Sequence, residues 1–233
     1  MTPGRPRILR EHIEGRRFQI LLGVLLVLLV LHPYASELGP AASVVLGAVP
    51  LTAALYAVSR RPPVVVLGAI LLVLSATGSV VRLTDPHSAL SIGGLVGELF
   101  FFLIAIGLVF PLVFQRARVS RDTLFGAAGQ YLLICLAFAA AYRLVELVVP
   151  GSLSFTPPLE VGDAWGRAVY FSLVTLTTLG YGDVAPVSDA ARSLACLEAV
   201  RYPVVSFFAR EADKHLFAAK CGAFAPGDET LRI

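Results

Sequence analysis

The stretch TLTTLGYGDVAP (Thr175–Pro186) places two glycines, a tyrosine and an aspartate in one short run. The residues on either side of it are largely Leu, Val, Ala and Phe. The chain of 233 residues is 57% hydrophobic and 15% charged, with a mean hydropathy of +0.79. A soluble domain of this size needs more polar surface, so the composition predicts an integral membrane protein.

Several classes of function find no support in the sequence. The cysteines Cys135, Cys196 and Cys221 lie far apart, which argues against a disulfide framework or a metal site. The sequence contains no catalytic triad, no His/Cys/carboxylate cluster and no Gly-rich phosphate loop. A net charge of +3 does not indicate nucleic-acid binding. We therefore predict no enzyme, no cofactor and no small-molecule substrate.

Hydrophobic runs of about 20 residues are long enough to cross a bilayer. Such runs lie near 17–34, 41–58, 63–82, 90–114 and 124–149, and a shorter one lies near 190–209. The first run follows Arg16 and Arg17, as the apolar part of a signal peptide would, but no small-x-small cleavage site comes after it. We therefore expect it to be retained as a span in the lipid bilayer.

The distribution of arginine predicts the orientation of these spans. With the N-terminus in the cytoplasm, the inner segments carry Arg5, Arg7, Arg10, Arg16, Arg17, Arg60, Arg61, Arg116, Arg118 and Arg121, and the outer segments carry Arg82, Arg143 and Arg167. The positive-inside rule favours this arrangement, in a multi-pass protein of the cell membrane. It also places residues 150–189, including the opening stretch, on the outer side.

A short helix is predicted just before the glycines. The linker Pro150–Glu160 is rich in Ser, Pro and Gly and is typical of an exposed turret. Asp163 can cap a helix that begins at Ala164 and runs towards Thr177, which is too short to cross a bilayer. The helix must therefore enter the membrane and stop partway.

Non-helical backbone at membrane depth leaves carbonyl groups unpaired, which is tolerated only inside protein or along a water-filled path. A cation can supply what these carbonyls lack if they point at a shared axis. Successive carbonyl groups point the same way only if the backbone alternates between right-handed and left-handed conformations. Glycine adopts the left-handed conformation, with positive φ, without strain. This requirement explains Gly180 and Gly182.

The run resembles the selectivity-filter signature of the potassium-channel pore family, T-x-G-Y-G followed by Asp. The resemblance implies a filter made of Thr178, Leu179, Gly180, Tyr181 and Gly182. The carbonyls of the first four would coordinate K⁺, with the Thr178 hydroxyl at the inner end. One such loop cannot surround an ion, so the resemblance also implies a homotetramer.

The same resemblance implies a set of residues that support the filter. The pair Tyr170 and Phe171 falls where the family has an aromatic cuff, and Asp183 would lie behind the filter near Tyr170. Phe171 has no donor, so Thr175 is the favoured hydrogen-bond partner of the Tyr181 hydroxyl. The alternative that the run is an ordinary outer turn is disfavoured by the short preceding helix, the outward placement and the apolar span on each side.

Three features of the other spans bear on function. Ser88–Phe114 contains no Arg or Lys, so we predict no voltage sensing by a charged fourth span. Glu98, the acid within that span, is interpreted as structural. Gly93 and Gly97 form a GxxxG pair suited to close helix packing.

The predicted inner helix, about 190–209, is atypical. After Val200 the chain reads Arg201, Tyr202, Pro203, and no glycine occurs between residues 182 and 222. One interpretation is that the sequence departs from the family's inner helix here, through a reading-frame change or divergence. The other is a short, kinked helix in which Arg201 lines an aqueous cavity or pairs with Glu198.

These observations together predict an all-α integral membrane protein. Its regions are a basic cytoplasmic N-terminus (1–17), a four-span region (18–121), a pore module (122–209) and a cytoplasmic tail (210–233). Within the pore module we expect an outer helix (124–149), a turret (150–162), a re-entrant pore helix (164–177), a filter (178–182) and the inner helix.

The resemblance implies passive, K⁺-selective conduction without a charged voltage sensor. Because the inner helix is atypical after Val200, a non-conducting or truncated channel-like membrane subunit remains an alternative. A transporter subunit with pore-like loops ranks last, since such chains usually carry several loops and this one carries one.

Overall fold

Helices make up most of the structure, a computed structural model that describes residues 17–31, 34, 40–58, 62–114, 121–156 and 164–200. In chain order they are α1 (Arg17–Leu31), α2 (Pro40–Val58), α3 (Pro62–Val81), α4 (Ala89–Phe114), α5 (Arg121–Val148) and α6 (Ala164–Leu176). A further helix, α7, begins at residue 189 and continues to residue 200, the last described residue. The strands β1 (Leu153–Phe155) and β2 (Val184–Pro186) pair antiparallel. The predicted all-α fold class is confirmed.

In the part of the chain that the structure describes, three helices are long and apolar enough to cross a membrane, namely Pro62–Val81, Ala89–Val113 and Leu124–Val148. The apolar helix α1 and the apolar stretch Val44–Ala57 within α2 are shorter. At 15 residues, α1 rises only about 22 Å, less than the roughly 30 Å of the hydrocarbon core. Spans three to five therefore have the predicted length, whereas the first two stay a prediction.

The helix α4 lies at the centre of the packing, in contact with α2, α3 and α5. Fully buried side chains on α4 and α5 form much of the core, among them Phe102, Leu133 and Tyr142. On the other side of α5, Gly129 leaves room for Leu21 of α1, whose side chain lies 3.3 Å from where a Cβ would stand. Of the N-terminal helices, α1 and α4 thus pack against α5, while α2 and α3 pack against α4.

Two glycines allow α3 and α4 to approach closely. A Cβ on Gly78 would lie 2.6 Å from the Cα of Gly94. Gly97 also faces α3, where its Cβ would lie 3.0 Å from a leucine side chain, but Gly93 has nothing within 4 Å. The predicted pair of Gly93 and Gly97 is therefore half wrong, because the close contact falls on Gly94, one position along the helix.

A polar cluster joins the end of α3 to α4 and α5. Arg82, just beyond α3, donates from Nε to Ser91 Oγ at 3.2 Å and from Nη2 to the Ser91 carbonyl at 3.4 Å. Burial, and then the charge of Arg143, lower the pKa of Arg82 to about 10, while Glu98 opposes that shift. Glu98 is only 4% exposed and its charge acts on Arg82, so it lies buried near a cation, which supports its structural interpretation.

Candidate functional site

The site begins with α6, the predicted pore helix. Its 13 residues, Ala164–Leu176, end one residue before the predicted bound, and the predicted cap Asp163 lies outside the described residues. The helix packs against α5. Phe171 makes an edge-on contact with the Tyr142 ring of α5, with centroids 4.8 Å apart. Phe171, expected to support the filter, therefore faces α5 in the single chain.

Three hydrogen bonds end the helix and lead into the loop. The amides of Thr177, Thr178 and Leu179 donate to carbonyl oxygens of residues 173, 175 and 174, at 2.9, 3.0 and 3.0 Å. The last of these spans five residues, so it closes the carboxyl end more widely than an α-helical bond does. Residues 180–182 continue as neither helix nor strand. The backbone thus leaves the helix within one residue of the predicted bound.

Every second residue of the loop has a left-handed backbone. The φ angle is +60° at Thr178, +55° at Gly180 and +80° at Gly182. Positive φ was expected at the two glycines, but Thr178 is a third position. Sequence reasoning missed it because a β-branched residue rarely adopts this conformation. Such strain occurs at functional sites, where the surrounding structure holds it in place.

The loop lies on the surface of the single chain. Residues 177–182 are all exposed, with Leu179 56% and Tyr181 66% exposed. Among the described residues, no hydrogen bond joins the Tyr181 hydroxyl to Thr175, so the expected pairing is not made within one chain. The Tyr181 side chain lies at the surface of the chain, with two thirds of it exposed.

Asp183 holds the outer end of the loop. Its Oδ2 accepts a hydrogen bond from the Tyr170 hydroxyl at 2.6 Å, and its Oδ1 accepts one from the Val184 amide at 3.0 Å. Its carbonyl accepts from the Thr156 amide at 2.8 Å. The hydrogen bond to the carboxylate raises the pKa of the Tyr170 phenol to about 12, because loss of the phenolic proton would break it. Asp183 thus connects the loop to α6 and to the turret.

A strand pair that the sequence did not predict joins the predicted turret to the segment after the loop. Ser154 in β1 lies opposite Ala185 in β2, and the Val187 amide donates to the Ser152 carbonyl at 2.8 Å. The carboxylate of Glu146, near the end of α5, accepts from the amides of Gly151 and Leu153 at 2.9 and 3.1 Å. Strands of three residues carry too little periodicity to be recognised from sequence.

A second carboxylate lies where α5, α6 and α7 meet. Glu198 of α7 is 0% exposed. Its Oε2 accepts from the Tyr142 hydroxyl at 2.8 Å, and its Oε1 is hydrogen-bonded to the Ser172 hydroxyl. The sequence suggested Arg201 as its partner, but that residue lies outside the described part of the chain. Sequence reasoning missed the two hydroxyls because they come from distant positions.

Comparisons with known proteins place this region with channels. A protein-family model described as "Ion channel" matches residues 130–213. Two pore potassium channel b of Oryza sativa subsp. japonica is 66% identical over 29 residues, and two-pore potassium channel 1 of Arabidopsis thaliana is 62% identical over 29 residues. Each of these matches spans 12% of this chain and only 8% of the relative. No solved structure matches.

The fold and the matched segment define a class, namely an α-helical membrane protein with a segment that is similar to ion channels. The family match points to an ion channel rather than to an enzyme. Within that class, the two plant relatives support the potassium-channel pore family as the one to which this segment is similar.

Proposed function

We propose that the chain is the subunit of a homotetrameric channel that conducts K⁺ passively and selectively across the cell membrane, with its N-terminus in the cytoplasm. The observation that carries the proposal is the alternation of positive φ at Thr178, Gly180 and Gly182 directly after a helix too short to cross the membrane. Both matched plant relatives are named as potassium channels, which supports K⁺ as the permeant ion.

The alternation gives the loop its chemistry. When the backbone alternates between right-handed and left-handed conformations, successive carbonyl oxygens can point to the same side. There they replace the hydration shell of a cation. The loop is exposed along its whole length in one chain, and a single strand cannot surround an ion. Four copies around one axis would cover the exposed Leu179 and Tyr181 and complete the ring. The carboxyl end of α6 carries partial negative charge, which would favour a cation at the inner end.

Voltage dependence is not part of the proposal. The helix α4 is the fourth of the described helices, and its sequence contains no Arg or Lys. The membrane field moves charged sensor helices by acting on their basic side chains, and α4 has none of these. We therefore expect conduction that varies little with voltage beyond the driving force itself.

The test is flux through the purified chain. Reconstituted into K⁺-loaded liposomes, it should release K⁺ and exclude Na⁺, and chemical cross-linking should trap a species of four chains. Equal K⁺ and Na⁺ flux would contradict the filter assignment. Absence of any species larger than a monomer would contradict the proposed ring of four loops.

A non-conducting subunit is the second candidate, and a specific observation favours it. The sequence after Val200 places Arg201 and Pro203 where an inner helix would continue. An Arg at mid-membrane costs about 2.5–3.5 kcal/mol on insertion scales. If the natural chain passes no K⁺ but the double variant Arg201→Leu, Pro203→Leu does, this second candidate is correct.

The bond between Tyr170 and Asp183 yields a prediction about the outer mouth. Tyr170→Phe removes this hydrogen bond, and Asp183→Asn leaves at most a weaker bond between neutral groups. We expect each variant to lower K⁺ flux by about three- to tenfold, since bonds to charged groups are the stronger ones. The amide oxygen of Asn can still accept from the Val184 amide. The double variant should be no worse than the single variants. Additive losses would show that the two side chains act separately.

A further inference from the structure

Glu198 is a buried acid for which the proposed conduction path has no use. It lies on α7, and its hydrogen-bond partners in the described ranges are the neutral hydroxyls of Tyr142 and Ser172. No cationic side chain among the described residues pairs with it. Burying an ionised carboxylate without a cation costs far more than burying a neutral acid. Burial alone therefore favours a protonated side chain.

Counting protons leads to the same conclusion independently. Tyr142 has one hydroxyl proton and gives it to Glu198 Oε2. Ser172 also has one, but its Oγ lies within hydrogen-bond distance of two oxygens, the Cys135 carbonyl at 2.9 Å and Glu198 Oε1. Neither a carbonyl nor an ionised carboxylate has a proton to give. If Glu198 were ionised, one of the two contacts would bring two acceptor oxygens together with no proton between them.

A proton on Glu198 Oε1 removes the conflict. Glu198 then donates to Ser172 Oγ, Ser172 donates to the Cys135 carbonyl, and Tyr142 donates to Oε2. Each of the three hydroxyl protons has its own acceptor, and the chain of bonds runs in one direction, from α5 through α7 and α6 back to α5. Fully paired networks of this kind rigidify buried sites, whereas a half-paired network is costly.

We propose that Glu198 is held as a neutral carboxylic acid and acts as a positioning residue that joins the inner helix to the back of the pore helix. Ser172 lies on α6, six residues before Thr178. If α7 shifts away from α6, either this bond breaks or α6 moves with α7 and disturbs the loop. The positioning role rests on the proposed channel function, but the protonation state does not.

The first arm of the test is spectroscopic and needs no flux. At neutral pH the infrared spectrum of the reconstituted chain should contain the C=O band of a protonated carboxylic acid, and Glu198→Gln should remove it. An unchanged spectrum in Glu198→Gln would mean that the acid is ionised and would overturn the proposal, whether or not the chain conducts. Glu146→Gln is the control, since its carboxylate accepts from two amides and should contribute no such band.

The second arm compares substitutions by their hydrogen bonding. The amide of Glu198→Gln can donate to Ser172 and accept from Tyr142, so its melting temperature and K⁺ flux should stay close to those of the natural chain. Glu146→Gln loses one acceptor, because an amide nitrogen accepts no bond, and should melt at a lower temperature. If Glu198→Gln were the more damaging of the two, an ionised Glu198 would be indicated instead.

A third variant separates positioning from stability. Glu198→Leu keeps the site apolar but removes both bonds, and we expect K⁺ flux per folded tetramer to fall about tenfold, with a lower preference for K⁺ over Na⁺. A purely structural role would reduce the amount of folded protein and leave the ion preference unchanged, which would refute the positioning role. If no variant or natural chain conducts, the channel proposal fails while the infrared result still decides the protonation state.

Discussion

Replacing Gly180 by alanine should abolish selective K⁺ flux, reducing it by at least about tenfold. The φ of Gly180 is +55°, a conformation that costs an L-residue roughly 1–2 kcal/mol. Four copies would raise the cost to roughly 4–8 kcal/mol per assembly, where 1.4 kcal/mol is already a factor of ten. Relaxing to negative φ would relieve the strain but would turn the peptide oxygen away from its neighbours.

Crowding cannot be the cause in the single chain, because a Cβ at Gly180 would meet nothing within 4 Å. The same is true of Gly151, whose φ is +79° and which lies in the turret. Gly151→Ala is therefore a matched control with the same kind of strain outside the filter. It should lower thermal stability but leave the ratio of K⁺ to Na⁺ flux unchanged. Selective flux that survives Gly180→Ala, or that is lost equally in both variants, would contradict the filter assignment.

Gly78→Ala should give the largest loss of stability among glycine substitutions in the N-terminal helices. The added Cβ would lie 2.6 Å from the Cα of Gly94 and 2.8 Å from the Leu90 carbonyl oxygen. Both atoms belong to the backbone of α4, so no side chain can move aside and the two helices must separate. Overpacking of this kind costs about 1–3 kcal/mol, which we expect to appear as a lower melting temperature in detergent.

Gly93→Ala is the matched control for this prediction. It lies on the same helix pair, one residue from Gly94, and a Cβ there would meet nothing within 4 Å. Alanine favours a helix over glycine by up to about 1 kcal/mol, so Gly93→Ala should leave the melting temperature unchanged or raise it. Equal losses in Gly78→Ala and Gly93→Ala would show that the α3–α4 contact is looser than the structure indicates.

The parts of the fold that could be predicted were those with a strong local signal. Long apolar runs located α3, α4 and α5 to within about three residues, because a bilayer demands both length and uniform hydrophobicity. The short helix before Gly180 could be predicted because a helix of 13 residues cannot cross the membrane. The left-handed glycines followed from the chemistry of a carbonyl-lined path, not from any periodicity.

Other features could not be predicted because they depend on residues far apart in the chain. The partners of Glu198 are Tyr142 and Ser172, 56 and 26 positions away, and nothing near Glu198 points to either of them. Whether Gly93 or Gly94 faces α3 depends on the rotation of α4 about its axis, which a GxxxG pattern does not specify. The roles of the filter and its supporting residues stay predictions, since one chain does not form the ring that would reveal them.

The outward exposure of the loop from Thr177 to Gly182 has a consequence for mixed populations of this protein. If four subunits share one ion path, each contributes a quarter of every coordination shell, and no subunit can compensate for a neighbour's faulty loop. A tetramer that contains one damaged copy would then fail to conduct K⁺ selectively. The defect would therefore behave as dominant in a cell that makes both intact and damaged chains.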